Sequence, residues 1–375
     1  MDTQLLVQSV LIMVFASVII HFAASTFHVA SCVLGRNMPP GVRGATINAI
    51  GSSLPEVLTT FFLLFVYSDM EGFSAGIATC AGSAVFNLSV IPGLCILFAV
   101  GFRRKQPQKK TEVRVRHETI LRDGLFFLLA ELVLISYLGN QTLTWWMGGT
   151  LMGIYVLYMA YLLNLIHQHG KTEHEVEPLP EIEKSSLIRT LLTLNSASLL
   201  FGGRELTKAR AWVVLLVSTA FMAVACHFLA KAVIDSSTAL DIPAFFTAVI
   251  LGAAATSVPD TILSVKDAQK GDYDDAISNA VGSNIFDLTI ALGLPLLVYG
   301  LMYGDVTLAN TAGDVRELRV ALVLLTVLIL GTLLSSKVLG RKRGYFLLGI
   351  YGAWTLFIVG RAMNWAWLNS LIGSA

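Results

Sequence analysis

Charge is what this sequence lacks. Asp, Glu, Lys and Arg together make up 14% of its 375 residues, while apolar types make up 55%. A water-solvated surface needs roughly twice that charge, so the usual reading of such a length as two or three soluble domains fails. A mean hydropathy of +0.70 belongs to a chain solvated mostly by lipid. No sign of charge dominates either: the net charge is +1, which gives nucleic acid nothing to be attracted to. Cysteine is sparse. Cys32, Cys80, Cys95 and Cys226 sit in or beside apolar stretches at no metal-ligand spacing, and read as small packing residues. A basic leader is missing too: the chain begins Met1-Asp2, and the apolar stretch from Leu5 to about Val33 is too long for a signal segment, so it reads as a retained first helix.

Long apolar runs are what the chain does have. Runs of about twenty residues can cross a bilayer as helices. Ten are expected, at 5–33, 42–67, 73–101, 120–138, 143–167, 211–234, 242–265, 276–302, 317–338 and 344–370. The charges test that count independently. With the N-terminus outside, the inward loops hold Arg36 and Arg43, the run from Arg103 to Arg122, Lys171 through Arg210, Lys266 and Lys270, and Lys337 through Arg343. That is 22 of the 26 Lys and Arg residues. Outward loops carry Asp69 and Glu71, Asp235 and Asp241, and Asp305 and Asp314. Ten spans with both termini outside and a cytosolic central loop satisfy the positive-inside rule.

The two halves repeat. Gly51-Ser52-Ser53-Leu54-Pro55-Glu56 returns as Ala255-Thr256-Ser257-Val258-Pro259-Asp260, and Gly82-Ser83-Ala84-Val85-Phe86-Asn87 as Gly282-Ser283-Asn284-Ile285-Phe286-Asp287. His21-Phe22-x-Ala24 matches His227-Phe228-x-Ala230, and Gly153-Ile154-Tyr155 matches Gly349-Ile350-Tyr351. The offsets, 206, 204, 200 and 196, drift slowly and stay in order. Five spans per half is an odd number, so the halves must insert with opposite topology. The expected fold is an all-α integral membrane protein, ten transmembrane helices as two inverted five-helix repeats. Residues 1–167 form the first repeat (motifs within 45–90) and 211–375 the second (motifs within 248–292). Between them, 168–210 is a cytosolic linker with an amphipathic helix.

Glu56, Asp260 and Asp287 fall inside spans, where a carboxylate is costly unless it meets a polar cavity or a cation. Each has a hydroxyl four residues earlier: Ser52 before Glu56, Thr256 before Asp260, Ser283 before Asp287, with Ser83 before Asn87 as the fourth such pair. Four converging faces of this kind make a cage of hard oxygens without thiol or imidazole, suited to Ca²⁺ and Na⁺ rather than zinc, copper or iron. Pro55 and Pro259 add to it, because they cannot donate to the carbonyls of Gly51 and Ala255 and so break their helices there.

At these residues the chain resembles the cation/Ca²⁺ exchanger superfamily, in wording nearest the K⁺-dependent Na⁺/Ca²⁺ exchangers. The resemblance implies alternating access by sliding of the first and sixth helices. Its implied ligands are Ser52, Ser53, Glu56, Ser83 and Asn87 from one repeat and Thr256, Ser257, Asp260, Ser283 and Asp287 from the other, with the Ala49 and Ala253 carbonyls added. It implies transported Ca²⁺ and Na⁺, with or without K⁺, no cofactor and no enzymatic activity. Its partners are inorganic cations and the lipid bilayer of the cell membrane, with no nucleic acid and no obligatory protein partner. The chain lacks a Gly-Asn-x-x-Glu motif of the proton/Ca²⁺ exchangers; a proton-coupled Ca²⁺ antiporter, or an antiporter of another divalent cation, stays the alternative. Three ionised carboxyls balance Ca²⁺ plus K⁺, or three Na⁺; a protonated Asp287 leaves Ca²⁺ alone in balance.

The remaining features read as structural. His21 and His227 suit symmetric packing. Glu131 suits an interhelical hydrogen bond or an accessory polar path. The basic run from Arg103 to Arg122 is a topogenic loop. Leu187, Ile188, Leu191, Leu192 and Leu199 suit a helix lying on the membrane, beside a solvated run of Glu173, Glu175, Glu177, Glu181 and Glu183. Asp272, Asp274 and Asp275 offer local cation attraction at a cytosolic mouth, and lie in a charged loop rather than on facing helices as an intramembrane protease would need. Asn140-Gln141-Thr142 is a glycosylation sequon close to the membrane. A channel is disfavoured, since a compact site with several acids holds its ion too tightly.

Overall fold

The computed structural model describes residues 2–35, 46, 49–67, 70–101, 113–140, 142–168, 182, 186–307 and 312–366. Arg36, Arg43, Asp69, the basic run up to 112, Gln141 of the sequon, Lys171 and the five linker glutamates lie outside them.

The described chain is almost entirely helix: α1 (Thr3–Leu34), α2 (Ala49–Ser52), α3 (Leu54–Phe65), α4 (Met70–Gly101), α5 (His117–Tyr137), α6 (Trp145–Gln168), α7 (Leu187–Leu192) and α8 (Ser196–Phe201). There follow α9 (Lys208–Leu240), α10 (Ala244–Thr247), α11 (Ala253–Thr256), α12 (Val258–Lys270), α13 (Tyr273–Phe286), α14 (Leu292–Tyr303), α15 (Ala312–Leu334) and α16 (Arg341–Ala362). Wider π-turns, Ala248–Gly252 and Asp287–Ala291, join α10 to α11 and α13 to α14.

Helix covers part of every expected span. By length and composition, six stretches among the described residues can cross a membrane: Thr3–Leu34, Gly72–Ala99, Trp145–Leu165, Lys208–Leu240, Tyr273–Tyr303 and Arg341–Ala362. The pair Ala244–Thr256 and Val258–Lys270, bent by 41°, makes a seventh. The other expected spans fall short in length or apolarity: α3 has 12 residues, and α5 carries Glu118, Arg122, Asp123 and Glu131.

Burial separates core from periphery. The most apolar window of the Gly72–Ala99 helix is 78% buried, against 22% for α1. Leu11, Phe15, Leu216, Val224, Leu324 and Leu356 are exposed, forming an apolar perimeter fit for lipid. α1 opens on Asp2, whose carboxylate caps the amides of Gln4 and Leu5 at 3.0 and 3.1 Å. The Asp2 amide donates to the Ala239 carbonyl near the end of α9 at 2.8 Å, and α1 and α9 pack antiparallel. α1 packs along α12, and α9 along α3.

Two ribbons and two close helix crossings pair one half with the other. The strand Val113–Arg114 before α5 pairs antiparallel with Val338–Leu339 before α16. Thr142–Leu143 after α5 pairs antiparallel with Val306–Thr307. The two ribbons thus close opposite ends of the bundle. Helix contacts follow suit. A Cβ on Gly93 of α4 would meet the Gly344 carbonyl of α16 at 3.1 Å, and one on Gly148 of α6 the Gly293 carbonyl of α14 at 2.5 Å. Gly93 and Gly293 are 200 apart, and Gly148 and Gly344 are 196 apart, the offsets of the sequence repeat.

Several expectations change here. Arg122 is not part of a loop: it lies on α5, where its Nε donates to the buried Asp123 carboxylate at 2.6 Å. Ser278 of α13 and Tyr158 of α6 donate to the same carboxylate, at 2.5 and 3.0 Å. Neighbouring opposite charges neutralise each other, which lets both enter the bundle. Asp274 and Asp275 lie in the first turn of α13 rather than in a loop, Asp274 held by Arg116 at 2.8 Å and Asp275 buried, while Asp272 just before the helix is exposed. Glu131 accepts from Thr326 of α15 at 3.1 Å, the interhelical hydrogen bond. Cys80, Cys95 and Cys226 are buried and all four cysteines are free thiols. Leu187, Ile188 and Leu199 are exposed apolar residues on α7 and α8.

A candidate cation cage

Two helices break at matching places. The first breaks at Ser53 (φ −92°, ψ 4°), between α2 and α3; the second breaks at Ser257 (φ −78°, ψ 3°), between α11 and α12. Pro55 and Pro259 fill the first turn of each following helix, where a missing amide hydrogen costs nothing. Glu56 and Asp260 come next, in first turns whose backbone amides favour negative charge. On the other side of each break, short helices end with carbonyls. Those of Ala49 and Ala253 accept the amides of Ser53 and Ser257 at 2.9 and 3.0 Å, and hydroxyls as well: Ser52 on Ala49 at 3.4 Å, Thr256 and Ser83 on Ala253 at 3.2 and 3.5 Å.

Two continuous helices close the cage. α4 carries Ser83 and Asn87, α13 carries Ser283, and Asp287 opens the π-turn after it. A Cβ on Gly82 would meet the Val249 carbonyl at 2.1 Å, so only glycine lets α4 come this close to the second broken segment. All ten sequence-predicted side-chain ligands are buried; Ser52, at 3%, is the most exposed.

Their contacts cross between halves. Glu56 receives Ser83 at 3.4 Å, and the Thr256 hydroxyl turns toward it. Asp260 receives Ser283 at 2.6 Å, and Ser52 turns toward it. Each acid therefore has the hydroxyl of its own half's continuous helix and that of the opposite half's broken helix. Ser257 donates to Ser83 at 3.1 Å, and Ser53 turns toward Asp287. The structure brings nine of the ten side chains together in this way; the tenth, Asn87, is buried on α4 four residues beyond Ser83, and so on the same helix face.

What they leave undone is informative. Glu56 Oε2, Asp260 Oδ2, both oxygens of Asp287, both amide atoms of Asn87 and Ser53 Oγ are buried without a hydrogen-bond partner. Such groups are expensive in an apolar bundle. Among the described residues no three acidic, His or Cys side chains form a metal-binding group by themselves. Hydroxyl, amide and carbonyl oxygens stand beside the carboxyls.

Sequence reasoning missed Asn279, Ser264 and Asn284. Asn279 accepts from Ser52 at 3.4 Å, donates to Ser264 at 2.9 Å and lies against Asp260. Its signal was available: an amide inside a span, four residues before Ser283 and thus on the same helix face. Asn284 donates to the Ala84 carbonyl at 3.0 Å, touching its own counterpart in the other half.

The sequence pattern of the sodium/calcium exchanger protein family matches residues 7–164 and 210–360. The human protein sodium/potassium/calcium exchanger 5 is 25% identical over 329 residues, covering 68% of this chain and 63% of its own length. The inner membrane protein YrbG of Escherichia coli K12 is 27% identical over 308 residues, 79% of each chain. This chain thus spans less than two thirds of the human relative. Among solved structures, the sodium-calcium exchanger NCX_Mj superposes with TM-score 0.56 at 20% identity, over 94% of this chain and 97% of its own. The H⁺/Ca²⁺ exchanger CAX superposes with TM-score 0.64 at 15% identity, over 96% and 81%. These likenesses establish the fold.

Proposed function

The chain belongs to the sodium/calcium exchanger protein family, and from that premise we propose that it is a secondary active antiporter exchanging Ca²⁺ for Na⁺ across the cell membrane. One observation carries the reading: seven buried polar atoms of Ser53, Glu56, Asn87, Asp260 and Asp287, all residues of the repeated motifs, are without partners. Oxygen-only ligands of mixed charge suit Ca²⁺ and Na⁺, which bind hard oxygens and differ chiefly in charge. The proposed ligands are the ten side chains of the cage with the Ala49 and Ala253 carbonyls, whose hydroxyl partners Ser52, Thr256 and Ser83 belong to the same ligand set. Asn279 orients Ser52 and Asp260.

We read the architecture as ten helices in two inverted repeats, with both termini outside and residues 168–210 cytosolic. The antiparallel α1 and α9, the crossed ribbons, the paired glycine contacts and the touch between Asn284 and Ala84 all support a twofold axis through the cage. An ion held there exchanges access when one half adopts the arrangement of the other. The chain needs no cofactor, protein partner or enzymatic step for this. Asp287 tunes K⁺ coupling, since its charge decides whether a second cation balances the cage.

The test is ⁴⁵Ca²⁺ flux in proteoliposomes under imposed Na⁺, K⁺ and pH gradients. Flux that follows the Na⁺ gradient is expected; flux that follows only the pH gradient would make the protein a proton-coupled antiporter instead.

A further inference from the structure

Corresponding positions of the two halves share a partner but not its chemistry. Lys266 of α12 stands 204 residues after Phe62 of α3, the offset of the broken-helix motifs. His21 of α1 lies within electrostatic reach of Lys266. Its counterpart His227 of α9 sets its ring edge-on against Phe62, 5.1 Å between centroids. One pairing presents an ammonium group, the other an aromatic ring.

These positions flank the approaches to the cage. A cavity of about 170 Å³ runs between α1 and α12. Ser52 and Pro259, next to Asp260, line its inner part, and His28, Lys266 and Lys270 line it toward the end of α12. At the corresponding place beside α3, the rings of Phe62, His227 and Tyr67 pack together. A route for cations therefore passes two lysines. Lys270 lies 3.4 Å from the Asp267 carboxylate, which offsets its charge. Lys266 is exposed and, among the described residues, makes no ion pair.

We infer that Lys266 sets ion discrimination at this approach, holding back Ca²⁺ more strongly than Na⁺ on one face of the membrane only. The inference rests on the exchanger reading. Coulomb repulsion scales with the charge of the ion, so the same wall charge costs Ca²⁺ twice the free energy it costs Na⁺. Removing it multiplies apparent Ca²⁺ affinity by the square of the factor for a single Na⁺. Because α3 offers Phe62 at the matching position, the effect is absent from the other face.

The experiment measures half-saturating Ca²⁺ and Na⁺ on each face of oriented proteoliposomes, for wild type, Lys266→Gln, Lys266→Arg and Lys270→Gln. Lys266→Gln is expected to raise affinity at the face reached through the cavity about fourfold for Ca²⁺ and about twofold per Na⁺. The gain shrinks as choline chloride shortens the Debye length. Lys266→Arg stays at wild type, and Lys270→Gln changes less than Lys266→Gln. Equal gains for the two ions, a gain on both faces, or no change in Lys266→Gln would overturn the inference while leaving wild-type exchange intact. Wild-type flux indifferent to Na⁺ would instead remove the reading beneath it.

Discussion

The broken segment that carries Glu56 and the one that carries Asp260 have the same backbone and unequal chemistry. Both break at a serine two residues before a proline, both place an acid in the first turn beyond, and both receive the hydroxyl of their own half's continuous helix. Yet Ser283 approaches Asp260 to 2.6 Å while Ser83 approaches Glu56 only to 3.4 Å. Asn87 sits within the long helix α4, whereas Asp287 opens a π-turn. The repeated motifs thus set where these side chains stand, and differences between the halves change how closely each carboxyl is approached and how much charge lies among them.

The largest effect tests what the halves share. Glu56→Gln and Asp260→Asn should each reduce Na⁺-driven Ca²⁺ uptake by about a hundredfold or more, the scale of losing a buried charged partner. An account built on equivalence fails if one of them transports normally. Next comes the position where the halves differ. Asp287→Asn makes both halves alike and should remove any stimulation by K⁺ while Na⁺-driven uptake persists. Loss of uptake both with and without K⁺ would make Asp287 a ligand of Ca²⁺ itself rather than a tuner. Smallest is the contrast in hydrogen bonds. Ser283→Ala should weaken apparent Ca²⁺ affinity by about 1.5–3 kcal/mol, as for a bond to a charged group, and Ser83→Ala by about 1 kcal/mol or less. Equal losses would mean that the two distances do not reflect the strengths of the bonds.

Much of this site was legible because it is written twice. A proline followed by an acid, recurring at an offset of 204 residues, marks both helix breaks, and hydroxyls four residues before the acids mark the faces that converge. Asn279 escaped because its equivalent, Thr79, is not an amide, so the repeat gave it no echo. The buried Arg122–Asp123 pair escaped for another reason: hydropathy counts each charge as a cost and does not see that neighbours cancel. α3 and α5 were expected as spans, and are helical, but fall short of a crossing helix by length or apolarity. The unlike chemistry of Lys266 and Phe62 was present in the sequence but silent, because it gains meaning only when the cavity shows which wall each residue lines.

Na⁺-driven ⁴⁵Ca²⁺ uptake into proteoliposomes, with wild type beside Glu56→Gln and Asp260→Asn, decides whether these two carboxyls hold the exchanged ions. The account predicts uptake that rises with an outward Na⁺ gradient, collapses when the gradient is dissipated, and is lost in both variants. Uptake indifferent to Na⁺, or undiminished in either variant, would contradict it.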